Sequence, residues 1–248
     1  MTSPPAAPER QASAGFLAIA LTSRRAVLAN GLPPILALAV GFVDTAVFVH
    51  MGGLFVAHIT GNVVLLGVTL AGARIGGAHS GIASLQLATF PIFVAAAILA
   101  AVITSRLGRT ATTPLLWITT LVIAVSAGLA LVDGSSDRLD VPVSLLMVAA
   151  MGVINAAQRL DPQLGPPFTV MTGNVTGLAI ALAFVGRVAP HLPPLKGAGQ
   201  LLFLVLAFAA GAALGALTVV RFGLSCLALP AALLAARLLI PRVSSEHP

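Results

Sequence analysis

Apolar residues run through this chain in long blocks, broken at short intervals by glycine, proline or charge. Eight blocks stand out, at about 34–51, 54–72, 83–105, 114–132, 141–158, 167–186, 198–220 and 223–241. Each approaches the roughly 20 residues a helix needs to cross a hydrocarbon layer about 30 Å thick. The blocks do not alternate apolar and polar positions, which excludes the strands of a membrane barrel and predicts helices. The breaks carry turn chemistry: Gly52-Gly53, Gly76-Gly77, Gly108-Arg109, the acidic stretch from Asp133 to Asp140, Pro166-Pro167 and Pro193-Pro194. The pattern therefore reads as all-α: a polytopic helical membrane protein with six to eight membrane-embedded segments.

The same landmarks then recur in the same order. Gly41-Phe42-Val43-Asp44 aligns with Gly152-Val153-Ile154-Asn155, and Thr60-Gly61-Asn62 aligns with Thr172-Gly173-Asn174 after one inserted residue. Arg74 and His79 match Arg187 and His191, and Arg106-Leu107-Gly108 matches Arg221-Phe222-Gly223. A period near 112 residues implies two pseudo-symmetric halves, about 33–132 and 141–241. They form one transmembrane domain, 31–248, behind a flexible Pro-, Ala- and Ser-rich tail over 1–30. If all eight segments cross, the repeats are parallel. If one segment per half is re-entrant, six cross and the repeats are inverted. Arg106 and Arg109 favour a cytoplasmic loop that eight crossings would put outside, whereas Arg187 and Lys196 suit both arrangements.

Composition sharpens the class. The 248 residues are 58% hydrophobic and 8% charged, with mean hydropathy +1.05, against about 25% charged residues in soluble domains. That leaves no room for a soluble domain. The net charge of +6 is scattered over loops and Tyr is absent, which argues against nucleic acid as a partner. A single cysteine, Cys226, excludes an internal disulfide. Ser23-Arg24-Arg25 reads as an anchor holding the N-terminal side in the cytoplasm rather than as a twin-arginine signal. Ala207, Gly211 and Gly215, spaced by four, with Ala96 and Ala100 in the first half, predict close backbone packing.

Candidate chemistry is confined to a few positions. Asp44 is the acidic residue well inside an apolar block, where an ionised carboxylate costs about 2.5–3.5 kcal/mol. It is expected to be paired or to face a polar cavity, as a proton or cation carrier or as a structural carboxyl. Glycine after threonine in each triplet permits backbone forms closed to other residues, and Thr and Asn can cap a restarting helix. A helix restarting within the membrane would offer free N–H groups and a positive dipole end to a polar or anionic solute. The alternative is that the triplets bind two continuous helices together. Asn155, Gln158 and Arg159 share a helix face, and Arg159 is expected to pair with Asp161 at the membrane surface. His50 and His58 flank Gly52-Gly53 but lack the convergent ligands of a metal site, so neither a metal nor a cofactor is expected. Ser84, Ser126, Ser144 and Ser225 lack partnered bases, and phosphate-cradling motifs are absent, so the chain does not read as an enzyme.

The stretch Gly41-Phe42-Val43-Asp44 … Thr60-Gly61-Asn62, with Gly152 … Asn155 … Thr172-Gly173-Asn174, resembles the YoaK-like family of small bacterial membrane proteins, catalogued as a domain of unknown function. The likeness covers nearly the whole chain after residue 30. It implies a multi-pass protein of the bacterial inner membrane with about six spans, and it transfers no site residues. From chemistry alone, the expected binding residues are Asp44, Thr60, Gly61, Asn62, Asn155, Gln158, Thr172, Gly173 and Asn174. They would serve a small secondary transporter or permease for a polar or anionic metabolite, with proton coupling through Asp44. The competing class is a non-transporting membrane scaffold or sensor. Beyond lipid and an unidentified solute, a homodimer is left open.

Overall fold

The structure is a computed structural model that describes residues 31–73, 81–134, 136–185 and 197–240. Arg74, His79, Arg187, His191 and the 1–30 tail, all used in the sequence reading, lie outside the described residues. Every regular element among the described residues is helical: α1 Leu32–Met51, α2 Ile59–Leu70, α3 Ile82–Leu107, α4 Thr112–Asp133, α5 Asp140–Leu160, α6 Met171–Val185, α7 Ala198–Phe222 and α8 Ala228–Leu239.

Five helical stretches are long and apolar enough to cross a membrane: α1, α3, α4, α5 and the 42-residue run Ala198–Leu239. At 1.5 Å per residue that last run is about twice the hydrocarbon thickness. It folds at Gly223, whose φ of +56° only glycine adopts without strain, and continues through a 3₁₀ turn into α8. In contrast, α2 and α6 have only 12 and 15 residues. The expected blocks at 54–72 and 167–186 thus become short helices preceded by irregular chain.

Burial separates inner from outer helices. About two thirds of the spanning window of α1 and of α5 is buried, against less than a quarter in α3 and in the α7–α8 run. Val94, Ile98 and Val102 on α3, and Leu214 and Leu217 on α7, are exposed apolar side chains of the kind lipid covers.

Helix directions follow from contacts. On α7, a Cβ added to Gly211 would sit 2.0 Å from the Leu38 carbonyl oxygen, and one on Gly215 would sit 2.4 Å from that of Phe42. The same register step on both helices makes α1 and α7 parallel, with their backbones in contact. Gly41 completes the seam, 2.3 Å from the Phe208 carbonyl oxygen by the same measure. In the other half Gly152 of α5 packs on Phe93 and Ala96 of α3, and Val153 and Ala157 share a cluster with Ala100. These helices are also parallel.

The helix ends gather at two poles. His50, in the last turn of α1, bonds Asp140, the first residue of α5, at 2.6 Å, and lies beside Gly223 at the end of α7. This is the His50 end. At the opposite pole, Thr112 of α4 donates to Asp161, which follows α5; this is the Asp161 end. The small-residue seams expected from sequence are therefore present, and each joins the first helix of one half to the third helix of the other.

Candidate functional site: a polar junction between two short helices

After α1 ends at Met51, residues 52–58 turn back along the bundle instead of leaving it. Asp44, about 10 Å up α1 from Met51 at the helical rise, supplies the reason. Its Oδ1 accepts the backbone N–H groups of Val56 at 2.8 Å and Ala57 at 2.7 Å, and its Oδ2 meets His58 Nδ1 at 2.6 Å. The carboxylate is 3% exposed. It is paired, as a charge in an apolar block must be, with three donors of the segment that follows its own helix. Leu54 and Val56 are fully buried and plug this segment into the core.

Helix α2 begins at Ile59, so the triplet Thr60-Gly61-Asn62 occupies its first turn. Asn62, without exposed surface, turns back on the loop. Its Oδ1 accepts Phe55 N–H at 2.9 Å, and its Nδ2 donates to Phe55 O at 2.8 Å and to Thr89 Oγ1 on α3 at 3.1 Å. Gly61 lies under the Phe55 ring, where a Cβ would stand 2.7 Å from Cδ2. Gln86 of α3 donates to the Gly53 carbonyl at 2.8 Å.

The second half uses the same device. Thr172-Gly173-Asn174 opens α6, and Asn174, 3% exposed, donates to the carbonyl of Pro167, seven residues back, as Asn62 does to Phe55. Asn155 stands where Asp44 does: its Oδ1 accepts from Thr169 Oγ1 at 2.7 Å, fourteen residues on, the same separation as Asp44 to His58. Gln158 donates to Pro166 O at 3.0 Å, and Gln200 of α7 lies against Gly165 as Gln86 lies by Gly53. Pro166 and Pro167 carry no N–H, so this loop needs fewer donors satisfied, and a neutral amide serves where the first half has a carboxylate. Phe168 is its fully buried plug.

Leu54 and Val56 of the first loop and Phe168 of the second join one buried cluster, and α7 closes over the His58 ring with Phe208, edge to face at 5.6 Å. Asp44 with His58, and Asn155 with Thr169, thus form two polar pairs of the same spacing.

Apart from Gly61, under the Phe55 ring, the expected site residues divide in two. Asp44, Asn62, Asn155, Gln158 and Asn174 have side chains engaged by the loops. Thr60, Thr172 and Gly173, in the first turns of α2 and α6, are exposed. His58 and Thr169 were not singled out from sequence as binding residues. Their signal was the shared fourteen-residue spacing from Asp44 and Asn155. The two histidines flanking Gly52-Gly53 go to different carboxylates, His50 to Asp140 and His58 to Asp44. Donor atoms of His50, Asp137 and Asp140 lie within 4.8 Å of one another at the His50 end. Arg159 does not pair with Asp161, whose oxygens take Thr112 Oγ1 and the Gln163 N–H instead. A cavity of about 420 Å³ opens at the Asp161 end, lined by Thr104, Thr112, Leu115, Ala157, Leu160 and Asp161 among others, none of them in a triplet.

A family model described as a protein of unknown function, DUF1275, matches residues 33–240. The match agrees with the resemblance carried by the glycine, Asp44/Asn155 and Thr-Gly-Asn landmarks. No curated protein matches the chain, and no solved structure does.

Proposed function

The chain belongs to the DUF1275 family of unknown function, and we propose that it is a small permease for a polar or anionic solute. The observation that carries this reading is the opening of α2 and α6 beside two loops whose Leu54, Val56 and Phe168 are buried in one core. Exposed Thr60, Thr172 and Gly173 lie in these first turns, where a helix leaves N–H groups without helical partners. Such groups cannot face hydrocarbon without a cost of several kcal/mol each, so non-helical backbone at this depth lines water or protein. Positive helix ends that open on water favour anions and repel cations. The solute meets the threonine hydroxyls and free amides, while Asn62, Asn174 and Asp44 hold the loops open.

Contacts support inverted repeats with six crossings. Asn62 bonds Thr89, about 10 Å up α3 from Ile82, so α2 runs antiparallel to α3 and leaves at the His50 end. Gly177 on α6 packs on Leu201 near the start of α7, so α6 leaves at the Asp161 end. Each half then has three crossing helices and one short helix that enters and leaves on the same side. Charge agrees. Among the described residues, Arg138 and Arg221 belong to the His50 end, and Arg106, Arg109, Arg159 and Arg237 to the Asp161 end. Two against four favours the Asp161 end as the cytoplasmic side, and the family resemblance implies the inner membrane of a bacterium.

The scaffold reading draws on one observation, the closure of both triplet asparagines onto loop backbone. Purified protein in liposomes separates the two. The permease reading expects influx of small carboxylates or inorganic anions, little influx of small cations, and at least a tenfold loss in Thr60→Val with Thr172→Val at unchanged melting temperature. Liposomes as tight to every solute with the protein as without it would favour the scaffold.

A further inference from the structure

We infer that the His50 end of the bundle binds a divalent metal ion of the zinc class between His50, Asp137 and Asp140. The site lies apart from the first turns of α2 and α6 and does not depend on the permease reading.

Three parts of the chain bring the ligands together. His50 comes from the last turn of α1, Asp140 opens α5, and Asp137 lies in the loop that joins α4 to α5. His50 Nε2 stands 2.6 Å from Asp140 Oδ2, and one ligand atom from each of the three residues lies within 4.8 Å of the others. Two ligands bound to one ion at about 2.1 Å stand up to about 4.2 Å apart. Small side-chain rotations therefore separate these atoms from ligation. The ion takes the Nε2 lone pair, and any proton on that nitrogen leaves to water or moves to Nδ1.

Charge distinguishes this group from a simple hydrogen-bonded pair. His50 and Asp140 are complete with two members. A second carboxylate brought to the same place repels the first, and a protonated ring would answer only one of the two charges. A neutral ring with a divalent ion answers both. The neighbouring acid is engaged elsewhere: Asp133 accepts from Ser136 Oγ and, at 3.0 Å, from the Leu139 N–H, bonds that shape the loop carrying Asp137. Arg138, next to Asp137 in sequence, is exposed, as is Arg221 at the end of α7.

A hydroxyl supplies an independent sign of a ligand. Ser144, one turn along α5 from Asp140, is fully buried, and its Oγ has no hydrogen-bond partner. Residues four apart share a helix face, and helical side chains lean toward the N-terminus, so this hydroxyl leans toward the Asp140 turn. An ion with three protein ligands keeps a water in its open position, and that water provides the partner the hydroxyl lacks.

The donor set names the class of ion. One imidazole nitrogen with two carboxylates suits zinc and its first-row neighbours, whereas calcium and magnesium take oxygen ligands. Once bound, the ion ties α1 to α5 at this pole and stabilises the folded bundle by mass action.

Calorimetric titration with Zn²⁺ tests the site. The full chain is purified in detergent without a histidine tag, stripped with EDTA, and carries Gln in place of His79, His191 and His247 to remove other imidazoles. The expected result is one saturable Zn²⁺ per chain and a rise in melting temperature with Zn²⁺ that Mg²⁺ does not give. Asp137→Asn should keep the loop, since Asp137 is exposed and Asn also adopts its left-handed backbone, φ +56°. It should weaken Zn²⁺ binding by about tenfold or more. His50→Gln should abolish it, and where that variant does not fold Asp137→Asn decides alone. No saturable Zn²⁺ binding in the parent, equal affinity in Asp137→Asn, or tighter binding of Mg²⁺ than of Zn²⁺ would overturn the inference.

Discussion

Asn62 is the residue on which the first loop turns. It fills three hydrogen bonds from a site without exposed surface, and two of them hold the N–H and C=O of a single residue, Phe55. Replacing it by Ala leaves those backbone groups buried and unmet, at about 1–3 kcal/mol each. Asn62→Ala should therefore melt markedly lower in detergent than the parent. Asn174→Ala, which loses one backbone bond, should cost less. Equal melting of all three proteins would contradict the clamp. The sequence made the triplets legible as helix starts, since a polar group and a glycine in an apolar block need a structural cause. It did not reveal that their asparagines turn backward, because the partner is irregular backbone seven residues away, which no helical or strand period connects. For the same reason His58 stands out in the sequence only as a residue flanking Gly52-Gly53: its carboxylate partner is fourteen residues distant.

Among the elements, the α1–α7 seam is the tightest contact. Gly41, Gly211 and Gly215 let two backbones touch, and a methyl group on Gly211 would fall 2.0 Å from a carbonyl oxygen that cannot move without its helix. Overpacking of this kind costs about 1–3 kcal/mol, so Gly211→Ala should lower the melting temperature more than Gly128→Ala on α4, where a Cβ meets nothing within 4 Å. The reverse order would mean that the seam is not a packing element. Four-residue spacing of small side chains made this seam readable, and the bounds of the long helices were readable too. The short helices were not. An apolar block such as 54–72 looks the same whether its first residues are helix or loop, because Leu54 and Val56 are as apolar in the plug as they would be in a span. What decides is Asp44, whose carboxylate competes for the N–H groups that a helix would have used.

At the scale of the whole molecule, two His–Asp pairs link different parts of the bundle: His50 with Asp140 joins α1 to α5 at one pole, and His58 with Asp44 anchors the central loop. The sequence left six or eight crossings open because loop charges conflict in the eight-crossing arrangement. In the proposed six-crossing topology, with α2 and α6 returning to the side from which their loops enter, that conflict disappears. That topology predicts that a cysteine at Ser136, near the His50 end, is labelled from outside intact cells by an impermeant thiol reagent, and that one at Thr110, near the Asp161 end, is labelled only after the membrane is opened. Labelling of both from the same side would exclude six crossings.

The central claim is that water reaches the first turns of the two short helices inside the bilayer. In a Cys226→Ala background, the rates at which Thr60→Cys and Thr172→Cys react with small charged methanethiosulfonates in membrane vesicles test it most directly. The account predicts that both react, and that the anionic reagent outpaces the cationic one by several-fold relative to their rates with a free thiol. Silence of both cysteines in intact membranes, with reaction only after solubilisation, would show hydrocarbon rather than water at that point.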